Sequence, residues 1–228
     1  DPPAATHASP TQAELVVRTA ELAGELWHDP DGKGYATVDM GDHYENWAIN
    51  SRTYSVYIRA LVYGTTGKVV RKAALDDALG ILQGKAQFDA PQYDVHLRVG
   101  WHGDNSIILD LANDAWEAVE ITPNGWSVVA NAPIKFRRPD SSRSLPNPTN
   151  GSNLDELLKD VFNVEDSDIP LVRSVLINSI YPNGPYPILA VHGEAGSAKT
   201  TVCRLIKDLV DPTKAPVRLL PRSEEDLI

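Results

Sequence analysis

The residues best suited to chemistry form one glycine-rich segment, Gly193-Glu194-Ala195-Gly196-Ser197-Ala198-Lys199-Thr200-Thr201. Glycines let a backbone curl so that consecutive N–H groups point at a polyphosphate, and a following helix adds the positive end of its dipole. In such a loop Lys199 would reach the β and γ phosphates, and the Thr200 hydroxyl would take a magnesium position. All nine residues are therefore predicted contacts of ATP with Mg²⁺, and Lys199 is the predicted catalytic residue.

The segment departs at one position from the pattern Gly-x-x-x-x-Gly-Lys-[Ser/Thr], because Ala198 stands where the second glycine is usual. A Cβ at this position is harmless if the residue has ordinary helical φ and no phosphate oxygen packs against it. We therefore expect Gly196, rather than residue 198, to carry the conformation that only glycine adopts easily.

Two elements are expected to position this loop. The apolar run 187–192 precedes it and predicts a short buried strand. Beyond it, Val202, Leu205, Ile206 and Leu209 recur at helical spacing. Strand, glycine loop, Lys-Thr and helix follow in the order that a phosphate-binding loop requires. The alternative is an ordinary strand-to-helix turn without a ligand.

Two groups of basic residues are candidate contacts of nucleic acid. The first group comprises Arg52, Arg59, Lys68, Arg71 and Lys72, and the second comprises Lys135, Arg137, Arg138 and Arg143. Aromatic residues that could stack on bases lie within or beside both groups, namely Tyr54, Tyr57, Tyr63 and Phe136. Within the second basic group, Arg137 and Arg138 are the predicted DNA contacts. The alternative for both groups is an ordinary solvated face.

Composition limits the remaining possibilities. The chain has 228 residues, 42% of them hydrophobic, so it is long enough for one large or two modest domains with real cores. Its net charge of −10 excludes a surface that is basic all round, so any nucleic-acid site must be local. No apolar run approaches the ~20 residues of a membrane span. The single cysteine, Cys203, fits a reducing cytoplasm, which is the predicted location.

Hydrophobic patterning predicts two domains joined by a linker. Residues 12–137 are predicted to form an α+β domain with antiparallel hairpins, and residues 138–153 form a polar linker. Residues 154–228 are predicted to begin an α/β P-loop NTPase domain. The predicted helices are 12–27, 51–63, 70–87, 154–162 and 169–180. The predicted hairpins pair 35–38 with 44–49, 95–99 with 107–111, and 118–121 with 126–129.

The glycine-rich segment resembles the ATPase region of phage and mobile-element primase-helicase proteins. The similarity extends to Leu-Val-Asp-Pro at 209–212 and to Pro-Arg-Ser-Glu-Glu-Asp-Leu-Ile at 221–228. In that family an alanine also precedes the P-loop lysine. Upstream, residues 27–32, 110–113, 116–122 and 124–126 are similar to the β-rich region that precedes the ATPase. The resemblance thus covers most of the chain, although only the P-loop is mechanistically specific.

This resemblance implies an ATP-dependent nucleic-acid motor with a Walker A loop. Carried over to this sequence, Gly193, Gly196, Lys199 and Thr200 are nucleotide contacts, DNA is the partner, and the ATPase domain assembles a homo-oligomer. The acids after Thr200 follow no apolar strand, so we expect the Walker B strand past Ile228 and little or no ATP hydrolysis by this chain alone. One alternative is a nucleotide-dependent switch or scaffold whose N-terminal domain binds protein. A small-molecule kinase is a third reading, although no substrate-pocket signature accompanies it.

Overall fold

The structure is a computed structural model that describes residues 10–151, 153–162 and 164–216. The chain forms two compact units. The first comprises the residues up to Val95 together with Lys135–Arg137, and the second comprises His96–Ile134 and the residues from Arg138 onward. These units differ from the predicted division at residues 137 and 154, because residues 96–134 group with the carboxyl-terminal part of the chain. The predicted boundaries of independently folding domains stay a prediction.

The first unit begins with helix α1 (Gln12–Ala23) and strand β1 (Gly24–His28). Thr11 caps the helix, and its backbone N–H in turn donates to the Glu14 carboxylate, which completes a capping box. The predicted helix over 12–27 is therefore too long. At Gly24 the backbone is extended, and a Cβ there would lie 2.3 Å from the Thr37 carbonyl oxygen of the neighbouring strand.

Gly24→Ala should therefore destabilise the protein by about 1–3 kcal/mol, since the added methyl meets backbone that cannot move aside cheaply. Urea unfolding followed by circular dichroism measures the change. Gly64→Ala is the matched control, because Gly64 lies in a helix with nothing within 4 Å of the added methyl. We expect the control to be stabilised by about 0.5–1 kcal/mol. Equal stability of the two variants would contradict this account of the helix end.

A three-stranded antiparallel sheet follows, formed by β1, β2 (Gly34–Asp39) and β3 (Tyr44–Ala48) in that order. The β2–β3 pairing confirms the predicted hairpin between 35–38 and 44–49. Helix α2 (Arg52–Thr66) is capped by Ser51 and closes at Gly67 in the left-handed conformation, and α3 (Lys72–Phe88) packs on α1. The core between helices and sheet contains Val16, Val17, Ala20, Ala36, Val38, Ile49, Tyr54, Ile58, Val62, Val70, Leu75, Ala78, Leu82 and Ala86.

Six short strands lie between residues 95 and 136. They are β4 (Val95–His96), β5 (Val99–His102), β6 (Ser106–Asp110), β7 (Ala118–Thr122), β8 (Gly125–Val129) and β9 (Lys135–Phe136). Strands β5 to β8 form a four-stranded antiparallel sheet in chain order.

The β7–β8 hairpin is as predicted, whereas of the predicted run 95–99 only Val99 belongs to the strand that pairs with β6. The turn that begins at Gly103, whose φ is +62°, pairs His102 with Ser106. Because this first pair fixes the register, Val99 pairs with Leu109.

The second unit also contains helices α4 (Leu154–Val161), α5 (Ile169–Ser179) and α6 (Lys199–Val210). Their small core contains Leu158, Phe162, Ile169, Val172 and Val202. The polar tract 138–153, predicted as a linker, is bonded into this unit: the N–H groups of Arg143 and Leu145 donate to the carbonyls of Pro212 and Leu111 at 2.9 and 2.8 Å. Backbone groups pair regardless of side-chain polarity, so composition alone could not reveal these bonds.

The predicted strand over 187–192 is wrong. Residues 182–194 have no strand structure, and the side chain of Ile188 is 96% exposed. A P-loop strand is stabilised by its neighbours in a parallel sheet, and the described residues supply no strand beside this run. The α+β character with antiparallel hairpins is thus confirmed, whereas the α/β P-loop fold stays a prediction. Within the described residues, no helix is long and apolar enough to cross a membrane.

Candidate functional site

The glycine-rich loop has an unusual backbone just before helix α6. The φ values of Gly193, Gly196 and Ala198 are +153°, +85° and +62°. Nothing lies within 4 Å of a Cβ built on Gly196, so the space beside this residue is open. Where right-handed and left-handed residues alternate in a loop, consecutive backbone N–H groups can point into one concavity, which is an arrangement that binds anions.

The ammonium group of Lys199 folds back onto this loop. Its Nζ donates to the carbonyl oxygens of Gly193 and Glu194 at 2.9 and 2.6 Å and lies 3.3 Å from the Ser197 hydroxyl. All three partners are neutral, so an anion entering the loop would offer this ammonium a stronger acceptor than it now has. Lys199 is therefore placed where a loop-bound phosphate would meet its charge.

Helix α6 begins at the end of the loop without a side-chain cap. Its first intrahelical backbone bond runs from the Val202 N–H to the Ala198 carbonyl at 3.0 Å, and no acidic residue lies in the first turn. The N–H groups of Lys199, Thr200 and Thr201 thus precede the first bonded turn and add the positive end of the helix dipole.

The exposed hydroxyl groups at the start of α6 could hold Mg²⁺ together with a phosphate bound in the loop. Thr200 and Thr201 are exposed in the first turn of α6, and Glu194 and Ala195 are exposed in the loop. The described part of the chain contains no group of three His, Cys, Asp or Glu side chains that could hold a metal ion by itself. Magnesium would therefore depend on phosphate oxygens as ligands.

Ala198 contradicts the expectation that residue 198 has ordinary helical φ. It adopts the left-handed conformation, so both Gly196 and Ala198 carry positive φ. An alanine in this region is strained by about 1–2 kcal/mol because its Cβ approaches the following carbonyl oxygen.

Ala198→Gly should stabilise the protein by about 1 kcal/mol, because glycine adopts this conformation without the Cβ contact. Chemical denaturation measures the gain. Ala195→Gly in the same loop is the control, since the φ of Ala195 is not in the positive region. This control should be neutral or slightly destabilised, and a loss of stability in Ala198→Gly would contradict the assigned conformation.

The two predicted DNA contacts, Arg137 and Arg138, have different surroundings. Both are half-buried, and Arg138 forms a bidentate ion pair with Asp110 through bonds of 2.9 and 2.6 Å. Its guanidinium also donates to the Asn113 carbonyl and lies 3.8 Å from the ring centroid of Trp116. The Arg138 donors are thus directed at the protein. For this reason we do not include Arg138 in the nucleic-acid surface proposed below.

A second internal arginine, Arg98, was not predicted as a site residue. Its guanidinium is buried and donates to the Asp211 carboxylate at 3.0 Å, and to the carbonyls of Asp110 and Arg143 at 3.1 Å each. Asp211 caps the carboxyl end of α6, so this contact fixes the helix that begins at the candidate loop. Nothing in the alternating run around Arg98 signalled that its side chain faces inward.

Burial raises the pKa of the Asp211 carboxyl, but hydrogen bonds from Lys207 and Arg98, with their charges, outweigh burial and hold the pKa below its ordinary value. An Asp of lowered pKa stabilises the fold above its unfolded-state pKa of about 3.9, and the contribution is lost as pH falls through the folded-state pKa. Asp211→Asn should therefore reduce stability at pH 7, and its difference from wild type should shrink below about pH 4.

Denaturation midpoints between pH 3 and 7 measure this dependence. Asp208→Asn is the control, because Asp208 is exposed on the same helix and has no ion pair with a described residue, so its replacement should change stability by less than about 0.5 kcal/mol at pH 7. A stability difference for Asp211→Asn that is constant with pH would contradict the assigned ion pairs.

Comparison with family models, curated proteins and solved structures found no match for this chain.

Proposed function

We propose that residues 193–201 bind the phosphates of ATP with Mg²⁺, and that the chain belongs to an ATP-dependent nucleic-acid motor of the primase-helicase type. The observation that carries the proposal is the position of the Lys199 ammonium, held by the Gly193 and Glu194 carbonyls within a loop of positive-φ residues. An uncapped helix N-terminus follows directly. An ordinary strand-to-helix turn requires neither feature.

The proposed binding step exchanges one set of contacts for another. Lys199 leaves its neutral carbonyl partners and donates to the anionic β and γ phosphate oxygens, where charge-assisted bonds are about twice as strong. Backbone N–H groups from Gly196 to Thr200 donate to the same phosphates, and the Thr200 hydroxyl contributes to the magnesium site. When bound, ATP would supply the phosphoryl group, and Mg²⁺ would supply positive charge that offsets the negative charge of the phosphates.

Binding, rather than hydrolysis, is what the loop itself can provide. Turnover requires a carboxylate that holds magnesium and a residue that positions the attacking water. Glu194 is the only acidic residue within 193–201, and it is exposed and precedes the helix. We therefore propose that this chain binds a nucleotide and that the bound nucleotide controls the binding of DNA, the proposed partner. Homo-oligomer assembly and a cytoplasmic location belong to the same proposal.

Equilibrium binding with fluorescent ATP and Mg²⁺, competed by unlabelled ATP, ADP and AMP, tests the proposal. ATP should compete best and AMP at least about 100-fold more weakly, because AMP lacks the two phosphates that the loop and Lys199 contact. Equal competition by all three nucleotides would indicate recognition of the base or sugar and would contradict the proposed loop contacts. A nucleotide affinity that single-stranded DNA does not alter would favour the switch or scaffold over the motor.

A further inference from the structure

The outer face of helix α2 carries a narrow stripe of exposed basic and apolar side chains. Arg52, Val56, Arg59 and Tyr63 follow one another at spacings of four, three and four residues, and all four are exposed. At 3.6 residues per turn they lie within about 60° of one another and extend over about 16 Å of the helix. The tyrosine ring is 59% exposed although the opposite face of α2 is buried in the core.

The connection from α2 to α3 adds more positive charge. Lys68, Arg71 and Lys72 are all exposed, and no acidic residue occurs between Glu45 and Asp76. Across this stretch the chain carries five basic side chains although its net charge is −10. Within the described residues, none of the five side chains forms an ion pair or hydrogen bond. We call Arg52, Val56, Arg59, Tyr63, Lys68, Arg71 and Lys72 together the α2 stripe.

The fold does not need these charges where they are. Arg71 and Lys72 lie at the start of α3, whose first turn has no acidic residue and whose N-terminus has no side-chain cap. Cations at this end of a helix oppose its dipole and cost about 0.3–1 kcal/mol each at exposed sites. Residues that break a local rule without stabilising the fold are typical of functional surfaces.

We propose that the α2 stripe binds single-stranded nucleic acid. The five cations neutralise phosphates, and Tyr63 provides a ring on which a base stacks; Val56 is exposed on the same face two turns earlier in the helix. A single strand fits this arrangement because its bases are free to stack, whereas a duplex offers only its phosphates outside the grooves. The proposed function supplies the expectation of a nucleic-acid partner, but the surface itself uses no residue of the nucleotide loop.

Fluorescence anisotropy with a labelled 20-nucleotide oligo(dT) and the full chain tests the surface. Neutralisation of five phosphates predicts a slope of about −3.5 in log affinity against log salt. Arg52→Glu with Arg59→Glu should lower the affinity at least about tenfold and reduce the slope by about 1.4. The control is Arg18→Glu with Lys214→Glu, which makes the same change in net charge at two other exposed positions. We expect it to bind within about threefold of wild type.

Tyrosine variants separate base stacking from charge. Tyr63→Ala should weaken binding about 5- to 150-fold, whereas Tyr63→Phe should retain most of it, because the phenyl ring still stacks. Tyr44→Ala is the control, since Tyr44 is also exposed but lies away from the stripe on β3. Thermal unfolding of every variant should remain near wild type, which separates lost binding from lost folding.

Three results would overturn the proposal. The first is that the Arg18 and Lys214 control weakens oligo(dT) binding as much as the Arg52 and Arg59 variant does. The second is an affinity for oligo(dT) that does not change with salt concentration. The third is that a duplex of the same length competes as well as unlabelled oligo(dT). Binding of an acidic peptide in place of oligo(dT) would likewise replace nucleic acid as the partner. Lys199→Ala distinguishes this proposal from the nucleotide site: it should bind oligo(dT) like wild type even if ATP binding is absent, and the α2-stripe variants should leave ATP competition unchanged.

Discussion

Replacing Lys199 by alanine is expected to lower the affinity for Mg·ATP at least about 100-fold while the protein stays folded. The affinity falls because the ammonium is the only basic group of the loop and charge-assisted bonds to phosphate contribute several kcal/mol in total. The fold survives because the ammonium bonds only to carbonyls and a hydroxyl of its own loop. These acceptors can bond to water when the ammonium is removed.

Isothermal titration calorimetry with wild type and variant measures the loss, and circular dichroism verifies the fold. Lys214→Ala is the matched control because Lys214 is an exposed lysine of the same unit outside the loop. Its affinity should equal that of wild type. Unchanged ATP affinity in Lys199→Ala would remove the loop from the proposed function.

Replacing Arg138 by alanine should destabilise the protein by about 3–5 kcal/mol. The side chain of Asp110 is 3% exposed, and the Arg138 guanidinium donates to both oxygens of its carboxylate. Removing the arginine leaves a buried charge whose remaining donor among the described residues is the Ala112 N–H, and breaking a buried pair in this way is costly. The contact of the guanidinium with Trp116 is lost at the same time.

Chemical denaturation gives the free energy of unfolding, and Arg137→Ala is the control from the adjacent position. Arg137 has no ion pair with a described residue, so its replacement should change stability by less than about 0.5 kcal/mol. Adding Asp110→Asn to Arg138→Ala should recover part of the loss, because the buried charge is then removed. Equal stability of Arg138→Ala and Arg137→Ala would contradict the structural role of Arg138.

The expected instability of Arg138→Ala determines which variants can be used to test DNA binding. A variant that removes Arg137 and Arg138 together would lose stability through Arg138, so reduced DNA binding in that variant would not identify a contact surface. Charge reversal at Arg52 and Arg59 avoids the difficulty, because both side chains are exposed and lack ion pairs with described residues.

Turns and caps explain why much of the fold could be predicted from the sequence. Pro123 and Asn124 form the turn between β7 and β8, and Gly125, which pairs with Thr122 at the start of β8, has a φ of +132° that glycine adopts without strain. Ser51 caps α2 as its position before a periodic segment indicates. These signals are local, so they survive in the folded structure.

The errors arise where tertiary contacts decide. Leu26 and Trp27 continue the helical periodicity of α1, yet the close approach of Gly24 to Thr37 places them in a strand. The run 187–192 is apolar enough for a strand but has no partner among the described residues. The glycine-rich loop before α6 was expected from its residue types, whereas the left-handed Ala198 and the ion pair of Arg138 depend on neighbours that sequence patterns do not reveal.

The most direct test of the central claim is a two-dimensional amide NMR titration of the ¹⁵N-labelled chain with Mg·ATP. We expect the largest shifts on the backbone amides from Gly193 to Thr201, far smaller shifts of these amides with Mg·AMP, and no response of the α2 amides. Shifts confined to other residues, or none at saturating nucleotide, would contradict phosphate binding by this loop.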